Sequence, residues 1–304
     1  MGTVAPTEAI AILGMGNMGR ALAQRMLDQG YETSIWNRSV RDLSALEARG
    51  ARVLSSLQEA WGSDRTALTF VADDGALSDI CLGTTGLLRT APPGSTLIDL
   101  STVSPSVSRV IAEGAKSARV DYLRAPVSGN PLVLAAGNLT IIVSGPEATF
   151  RASRSLLESV GPKVLYVGRE EEARMIKLAI NAGLAVTTEL LAELILLVES
   201  HGLDRSVLLE VLGDSVLGSP FVKYKTANLI SRDYAATFTT ELLAKDLRLA
   251  LALADERGLT LPAVQLISTL TEEATRGYRE ADFAALLPHL QRTHGVEPDV
   301  PAQP

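Results

Sequence analysis

The chain has one cysteine, three histidines and few aromatic residues, and these shortages exclude several classes of protein. A lone Cys81 excludes an internal disulfide framework and is typical of a reducing compartment. His201, His289 and His294 have no cysteine partners and no spacing typical of metal ligands, so we expect no metal site. We therefore predict a cytoplasmic protein that holds no metal.

Long apolar runs and excess positive charge are also missing. Charged residues interrupt or end the most apolar stretches, Leu184–Val198 and Leu247–Ala254, which fall short of the roughly 20 apolar residues of a membrane span. Met1–Pro6 has no basic region leading into an apolar run, so we expect no secretory signal. A net charge of −7 and a pI near 5.2 argue against nucleic-acid binding.

The residue pattern changes about halfway along the chain. Up to about Val167, short β-type runs alternate with amphipathic helical stretches, which predicts a mostly parallel, doubly wound sheet with helices on both faces. After Gly168 strand patterns nearly vanish, and Glu171–Gly202 has the pattern of one long helix followed by shorter ones. The predicted strands are Ala9–Leu13, Thr33–Trp36, Ala67–Val71, Thr96–Asp99, Val120–Arg124, Leu139–Val143 and Lys163–Tyr166.

This pattern predicts an α/β fold with two domains. The N-terminal domain covers residues 1–167, and an all-α domain covers residues 168–296, the two being joined by the long helix. The long helix has an apolar face that needs either the other helices or a second subunit to cover it. Residues 297–304 are predicted to be a disordered tail.

A glycine pattern follows the first predicted strand and opens a helical stretch. In that context Gly-x-Gly-x-x-Gly is typical of a Rossmann-type dinucleotide site. Gly14 permits a tight turn, Gly16 lets the backbone approach a pyrophosphate, and Gly19 allows close helix packing. The pyrophosphate would lie at the positive end of the helix. The candidate loop residues are Gly14, Gly16, Asn17, Met18 and Gly19.

The end of the second predicted strand indicates which dinucleotide is bound. An NAD site usually has an acidic side chain there, which bonds the ribose hydroxyls and repels a 2′-phosphate. This chain has Asn37, Arg38 and Ser39 instead. Arg38 offers a planar cation suited to phosphate, and its neighbours add neutral donors. The alternative is that Arg38 merely faces solvent, but the sequence favours NADP(H).

Four further segments complete a recognisable set: Asp99–Pro105, Ala125–Gly129, Lys177–Asn181, and Phe238 followed by Lys245–Leu253. Together with the glycine loop, the chain resembles the β-hydroxyacid dehydrogenase family of 3-hydroxyisobutyrate dehydrogenase-like enzymes. The segment around Lys245 and the Trp-Asn-Arg after the second strand most resemble its glyoxylate and succinic semialdehyde reductase branch. The resemblance runs from about Ile10 to Leu290, and it implies hydride transfer between a nicotinamide and a small carbonyl acid or β-hydroxyacid.

The chemistry of this reaction can be argued from two residues on the long helix. Lys177 and Asn181 are four positions apart and so share one helical face. A lysine facing a cleft can protonate the alkoxide that forms when hydride reaches a carbonyl carbon. Alternatively, Lys177 is a solvated residue with its stem on the core. The resemblance implies the acid/base role for Lys177, with Asn181 orienting the substrate or the lysine.

The remaining candidate residues come from other segments of the chain. Ser128 and the amides near Gly129 could bind a substrate carboxylate as a small anion nest, or they could form a simple turn. By resemblance, Lys245 reaches over the cofactor, and Asp246 is its neighbour. The candidate substrate residues are Ser128, Gly129, Asn130, Thr102 and Arg124, and the further cofactor residues are Val71, Ala72, Asp73, Ser101, Thr102, Phe238 and Lys245.

The sequence departs from the family pattern at several positions. In the usual Asp-Ala-Pro-Val-Ser-Gly-Gly segment, Arg124 replaces the aspartate and Asn130 the last glycine, which changes charge and bulk beside the expected carboxylate site. Glycines common before the lysine are replaced by Glu171–Ile176. Val71–Asp74 stands where Leu-Pro is frequent. These departures leave hydride chemistry intact and bear on the identity of the substrate.

Two other functions remain as alternatives. An imine reductase shares this architecture, but a cationic iminium substrate would be repelled by an ammonium group at position 177. A non-catalytic NADPH-binding sensor or scaffold would need only the nucleotide loop, so the presence of Lys177, Asn181 and Ser128 argues against it. A 6-phosphogluconate dehydrogenase resembles the first half but has a much longer helical half. The family resemblance implies a homodimer or homotetramer.

Overall fold

The structure is a computed structural model that describes residues 8–62 and 65–302. The chain divides into two compact units, residues 1–177 and 178–304. The division lies inside the long helix, whereas the sequence places it just before that helix, because the first turns of the helix pack with the preceding sheet. The N-terminal residues that bear on a secretory signal lie outside the described residues.

The first unit is built on one mixed sheet. Its order in the described residues is β3-β2-β1-β4-β5-β6-β8-β7, with β9 paired to β8. The pairs from β3 through β6 are parallel, β8 is antiparallel to β6 and β7, and β9 is parallel to β8. The strands are β1 (Ala9–Leu13), β2 (Glu32–Trp36), β3 (Arg52–Val53), β4 (Thr66–Thr69), β5 (Thr96–Asp99), β6 (Asp121–Arg124), β7 (Val127–Ser128), β8 (Thr140–Ser144) and β9 (Lys163–Gly168).

All seven predicted strands are found, with ends that differ by at most two residues. The sequence missed β3 and β7, because two residues are too few to show an alternating pattern. The helices of this unit are α1 (Asn17–Asp28), α2 (Ser44–Glu47), α3 (Asp74–Leu82), α4 (Pro105–Ser117), α5 (Pro131–Ala135), α6 (Glu147–Ala152) and α7 (Arg154–Val160), with short 3-10 turns at Leu57–Ala60 and Leu87–Arg89.

Both faces of the sheet are buried, as a doubly wound fold requires. Ile10 and Ile12 of β1 pack into one core with α1 and α7, while Ala11 and Leu13 pack into a second core with α3 and α4. Successive side chains of a strand point to opposite faces, so one strand supplies both cores. The predicted doubly wound α/β fold is confirmed.

The strand order reverses at β1, which lies between β2 and β4. In such sheets ligands bind beyond the carboxyl ends of the strands at this reversal. The segments that follow β1, β2, β4 and β5 leave the sheet along this edge. They contain the glycine loop, the Asn37–Ser39 segment, Val71–Asp73 and the Ser101–Thr102 pair.

The regular secondary structure of the second unit, within its described residues, consists of helices, as the sequence predicts. The long helix α8 (Glu172–Glu199) enters it and is followed by α9 (Arg205–Asp214), α10 (Pro220–Ser231), α11 (Thr240–Asp255), α12 (Pro262–Tyr278) and α13 (Leu286–Thr293), with a 3-10 turn at Phe283–Ala285. One core joins α8 with α9, α10 and α13, and another joins α8 with α11 and α12.

By length and composition alone, α8 is the one described helix that could cross a membrane, and 44% of its most apolar window is buried within the fold. A core helix of a globular protein passes the same test. The buried positions of α8 include Arg174, Lys177, Asn181 and Glu189, all at most 9% exposed. These buried polar groups are typical of a helix packed in protein, and the absence of a membrane span stays a prediction.

The structure describes part of the tail that the sequence predicts to be disordered, up to residue 302, and Asp299 makes the main contacts of this part. The disorder of residues 297–304 stays a prediction. The Asp299 carboxylate accepts hydrogen bonds from Arg205, from the Tyr234 hydroxyl at 2.7 Å and from the Gln291 amide at 3.2 Å, and its side chain is 1% exposed. The Tyr278 hydroxyl donates to the backbone carbonyl of Val300 at 3.2 Å. A buried ion pair therefore holds the described part of the tail.

A buried carboxyl on α8 should make the stability of the protein depend on pH. Glu189 is 8% exposed, and its burial, together with the like charge of Glu193, raises its pKa to about 7. Because the folded-state pKa exceeds the unfolded value of 4.5, the folded state loses stability as pH rises from about 4.5 to about 7.

We expect Glu189→Gln to raise the free energy of unfolding at pH 8 by about 1–3 kcal/mol, and to leave it nearly unchanged near pH 4. Urea unfolding at the two pH values measures the difference. Glu193→Gln is the matched control, with a smaller gain of the same sign at pH 8. An equal effect of Glu189→Gln at both pH values would contradict the raised pKa.

Candidate functional site

The glycine loop between β1 and α1 has the geometry that a dinucleotide requires. Gly14 has φ +105°, and a Cβ there would lie 2.4 Å from the Phe70 carbonyl oxygen. A Cβ at Gly19 would lie 1.8 Å from the Gly14 carbonyl oxygen, so the helix could not pack against the turn. At Gly16, by contrast, a Cβ would meet nothing within 4 Å. Gly14 and Gly19 therefore permit the close packing of the loop, and Gly16 borders open space.

The first turn of α1 faces that space with its amide groups uncapped. Gly16 occupies the N-cap position, no side chain caps the helix, and no acidic residue lies in the first turn. Within the loop, Asn17 is exposed and Met18 is half-buried. Amide groups at a helix N-terminus favour an anion. The loop therefore fits the pyrophosphate of a dinucleotide.

The Asn37–Ser39 segment is tied to the glycine loop by hydrogen bonds. The Met15 N–H donates to Asn37 Oδ1 at 2.9 Å, and Asn37 Nδ2 donates to the Ser39 carbonyl and hydroxyl. Arg38 is exposed, and its Nη1 lies 2.9 Å from the Asp79 carboxylate on α3. At this strand end the structure therefore presents an accessible guanidinium beside the loop, with no acidic side chain in the segment itself.

The loops after β4 and β5 are joined to each other. The Val71 N–H donates to the Ser101 hydroxyl at 2.9 Å, and Thr102 is half-buried beside it. Ala72 and Asp73 are exposed, and the Asp73 carboxylate caps α3 by accepting from the Ala76 N–H at 2.8 Å. The structure thus brings Val71 and Ser101 together and gives Asp73 a capping role.

The end of β7 and the residues directly after it include the expected carboxylate-binding residues. Ser128 is half-buried and Gly129 is exposed with φ +140°, where a Cβ would lie 2.4 Å from Leu139. The Asn130 Oδ1 accepts from the Val133 N–H at 3.0 Å and so caps α5. The departure at position 130 is therefore explained locally, since an asparagine caps the helix where the family has glycine.

Arg124, a candidate substrate residue, lies in the interior of the first unit and is 3% exposed. Its Nε donates to Glu171 Oε1 at 3.0 Å, and its Nη2 donates to the same oxygen. The Glu171 carboxylate thus occupies the Nε and Nη2 donors of Arg124, and a role of Arg124 in substrate binding stays a prediction. Two departures from the family pattern, Arg124 and Glu171, thus compensate each other.

A second buried arginine was missed by the sequence analysis. Arg174 is 1% exposed and donates to Asp99, to the Ser101 carbonyl and to the Tyr122 hydroxyl at 2.9 Å. Burial by itself would lower the pKa of Arg174, but Asp99 and Tyr122 raise it above its ordinary value, so the guanidinium stays charged. The sequence shows that charged residues replace the family's usual glycines before Lys177, but it does not show which residues pair with these charges.

The candidate catalytic residues lie one turn apart on α8, and both are buried. Lys177 is 9% exposed and Asn181 is 2% exposed. Within the second unit, the Asn181 amide donates to Asp246 on α11, and the Lys245 ammonium lies 2.9 Å from the same carboxylate. Asp246 is 1% exposed. Lysine followed by aspartate was visible in the sequence, but nothing in it indicated that Asp246 orients the Asn181 amide.

Phe238 lies in the second unit beside the start of α11. Its ring contacts Phe283 edge-on, with 5.6 Å between the ring centroids, and it is half-buried. Thr239 caps α11 by accepting from the Leu242 N–H at 3.2 Å, which fixes the segment that carries Phe238.

Among the described residues, no group of three or more His, Cys, Asp or Glu side chains could hold a metal ion.

Comparison with known proteins shows which family the chain belongs to. Residues 9–168 match the family model for the NAD-binding domain of 6-phosphogluconate dehydrogenase, and residues 172–290 match that for the NAD-binding domain of NADP-dependent 3-hydroxyisobutyrate dehydrogenase. The uncharacterized oxidoreductase YfjR of Bacillus subtilis is 32% identical over 91% of this chain and 98% of its own length. Glyoxylate/succinic semialdehyde reductase 2 of Arabidopsis thaliana is 29% identical over 96% of this chain and 82% of its own length.

Solved structures of other proteins have the same fold as this chain. Psf3, solved with NADP⁺ and 2-OPP, superposes with a TM-score of 0.86 at 25% identity, covering 92% of this chain and 99% of that one. A reductive aminase from Aspergillus terreus shares the fold, with a TM-score of 0.62, 23% identity, and coverage of 93% and 99%. The chain belongs to the β-hydroxyacid dehydrogenase family of nicotinamide-dependent oxidoreductases.

Proposed function

We propose that the protein is an NADPH-dependent oxidoreductase that reduces a small carbonyl acid, or oxidises the matching β-hydroxyacid in the reverse direction. The observation that carries this proposal is a buried lysine, Lys177, on the helix that follows a nucleotide-binding sheet. A lysine at this position has a chemical use in carbonyl reduction that a nucleotide-binding scaffold would not need.

When bound, the nicotinamide supplies a hydride to the carbonyl carbon. Lys177 donates the Nζ proton to the carbonyl oxygen as negative charge develops there, so the product leaves as an alcohol and the lysine regains a proton from solvent. In the reverse direction a neutral lysine accepts the hydroxyl proton. Asn181, oriented by Asp246, holds the substrate or the lysine in place.

Ser128 and the backbone amide of Gly129 would bind the substrate carboxylate. A hydroxyl and an exposed N–H on a turn with positive φ form a small nest for an anion. Asn130 borders this nest but uses its carbonyl oxygen to cap α5.

The preference for NADPH rests on Arg38. This residue follows β2 in place of an acidic side chain and presents its guanidinium to solvent, where a 2′-phosphate could form charge-assisted hydrogen bonds. The pair with Asp79 is solvent-exposed and therefore weak, so a phosphate can displace or share it.

Arg38→Asp should weaken NADPH binding by roughly 10- to 100-fold, the worth of a hydrogen bond to a charged group, and weaken NADH binding much less. Dissociation constants for both nucleotides, measured by fluorescence titration, test this. Arg41→Asp, an exposed arginine in the same loop, is the matched control and should leave the ratio near that of the parent. An unchanged ratio in Arg38→Asp would refute the assignment of Arg38.

Imine reduction is the closest alternative, since the reductive aminase shares the fold. A cationic iminium would be repelled by the Lys177 ammonium, whereas a neutral carbonyl gains a proton donor there. The structure therefore favours carbonyl reduction, with imine reduction at most a side activity.

A substrate screen tests the proposed function against both alternatives. Glyoxylate, succinic semialdehyde, other aldehyde and keto acids, and cyclic imines are offered with NADPH and NADH in parallel. Oxidation of NADPH by carbonyl acids is the expected result. Faster turnover of imines would favour the imine reductase, and NADPH binding without turnover across the panel would favour a sensor or scaffold.

A homodimer or homotetramer is part of the same proposal. Several large apolar side chains of the second unit are exposed, among them Leu190 and Leu197 of α8 at 44% and 56%. Burial of such side chains between subunits would be favourable. Sedimentation at micromolar concentration is expected to give at least twice the chain mass of 32.2 kDa, and a monomer would contradict it.

A further inference from the structure

Two buried arginines join the sheet of the first unit to the residues that lead into Lys177. Arg174 pairs with Asp99, and Arg124 pairs with Glu171, so four buried charges cancel inside the fold. A buried charge without a partner is strongly unfavourable, and each pair therefore holds its two backbone segments together.

Arg174 makes the more extensive contact. Its guanidinium donates to the Asp99 carboxylate at the end of β5, to the backbone carbonyl of Ser101 and to the Tyr122 hydroxyl on β6. The guanidinium also donates to the Ser108 hydroxyl at 3.4 Å. Because it is planar and its donors have a fixed geometry, these four acceptors determine both its position and its orientation. The first turn of α8 is thereby fixed relative to β5 and β6.

Asp99 extends this constraint to the loops expected to contact the cofactor. Its Oδ1 accepts from the Thr69 hydroxyl at 2.7 Å and from the Ser101 N–H at 3.1 Å. The Ser101 hydroxyl in turn accepts from the Val71 N–H at 2.9 Å. One connected set of hydrogen bonds therefore runs from Val71 and Ser101 to α8.

Arg174 precedes Lys177 by three positions on α8, so the two side chains are neighbours on the same helical face. Both point inward, at 1% and 9% exposure. A displacement of the Arg174 turn would therefore displace Lys177. We propose that Arg174 is a positioning residue, which through Asp99 and Ser101 sets the place of the Lys177 ammonium relative to the bound nicotinamide.

This proposal rests on the proposed role of Lys177 as proton donor. The Arg124–Glu171 pair is the weaker of the two links. Both of its hydrogen bonds reach one carboxylate oxygen, and Glu171 Oε2 has no hydrogen-bond partner among the residues that the structure describes. The pair replaces an aspartate and a glycine of the usual family pattern. It supports the same turn of α8 without contacting the loops after β4 and β5.

The test is Arg174→Lys. A lysine can still pair with Asp99, but it lacks the fork that also reaches the Ser101 carbonyl and the Tyr122 hydroxyl. We expect kcat for the best substrate of the screen to fall about 10- to 100-fold, because a shift of about 1 Å in a catalytic group has this effect. The dissociation constant of NADPH should change less than kcat.

A primary isotope effect separates positioning from a merely structural role. With NADPH deuterated at the transferred C4 position, misplacement of Lys177 slows the chemical step and raises the isotope effect. A loss of folded protein lowers the rate but leaves the isotope effect unchanged. Arg205→Lys is the matched control, since Arg205 is also buried, at 3% exposure, and pairs with Glu199 and Asp299 in the second unit. It should lower stability and leave both kcat per folded molecule and the isotope effect unchanged.

If Arg174→Lys does not fold, Tyr122→Phe provides the answer, because it removes no charge. It removes only a hydroxyl, which accepts from Arg174 and also contacts Asp99 at 3.5 Å and Ser108 at 3.4 Å. It should give a smaller fall in kcat and a rise in the isotope effect. Parent values in Arg174→Lys, or in Tyr122→Phe where the lysine variant is unfolded, would overturn the proposal. Full reduction by Lys177→Ala would instead refute the role of Lys177 itself, so the two failures are distinguishable.

Discussion

Replacing Lys177 with alanine should lower kcat for carbonyl reduction by about 10²- to 10⁴-fold while NADPH still binds. The loss follows from the chemistry, because without a proton donor the alkoxide must form unprotonated. Lys177 is only 9% exposed, so bulk solvent cannot easily replace it. Single-turnover oxidation of NADPH, followed by absorbance, measures the effect.

Two variants define what the Lys177 result means. Lys177→Arg keeps the positive charge but holds its proton too tightly to donate it, so it should remain slow if proton transfer matters and recover if charge alone matters. Lys223→Ala, at a lysine whose side chain is 63% exposed, is the matched control and should be as active as the parent. Full carbonyl reduction by Lys177→Ala would exclude Lys177 as the acid.

Replacing Asp299 with alanine should lower the free energy of unfolding by about 3 kcal/mol, because it leaves Arg205 buried with only one of its two acidic partners. Burial would raise the pKa of Asp299, but hydrogen bonds from Arg205 and Tyr234 lower it below its usual value. The contribution is therefore complete above the unfolded pKa of 3.8 and is lost as pH falls through the folded-state value.

Urea unfolding at pH 7 and at one protein concentration tests the Asp299 prediction, since self-association would otherwise change the apparent stability. Glu297→Ala removes an exposed carboxylate two residues earlier and should change the stability little. Equal stabilities of the two variants would contradict an anchored tail. The anchored tail also holds Tyr234, which lies in the connection that leads to Phe238.

The departures from the family pattern show how far sequence reasoning reaches. In the sequence, Arg124 and Glu171 are two separate departures from the family pattern, and Arg124 is predicted to bind the substrate. In the structure they pair across 47 positions of the chain, and Asn130 is a helix cap. A charge in a sequence shows that a partner is needed, but it does not show whether that partner is a ligand or another residue.

The sequence by itself determined the doubly wound sheet, the helical second half and the nucleotide loop. Each is encoded locally, in the period of apolar residues or in a few glycines whose conformation and packing no other residue can adopt. The tertiary structure alone decided the pairing of Arg174 with Asp99, of Asn181 with Asp246 and of Arg205 with Asp299, which are 75, 65 and 94 positions apart. Such contacts depend on how elements pack, and burial then selects the partner for each charge because an unpaired charge is so costly inside the fold.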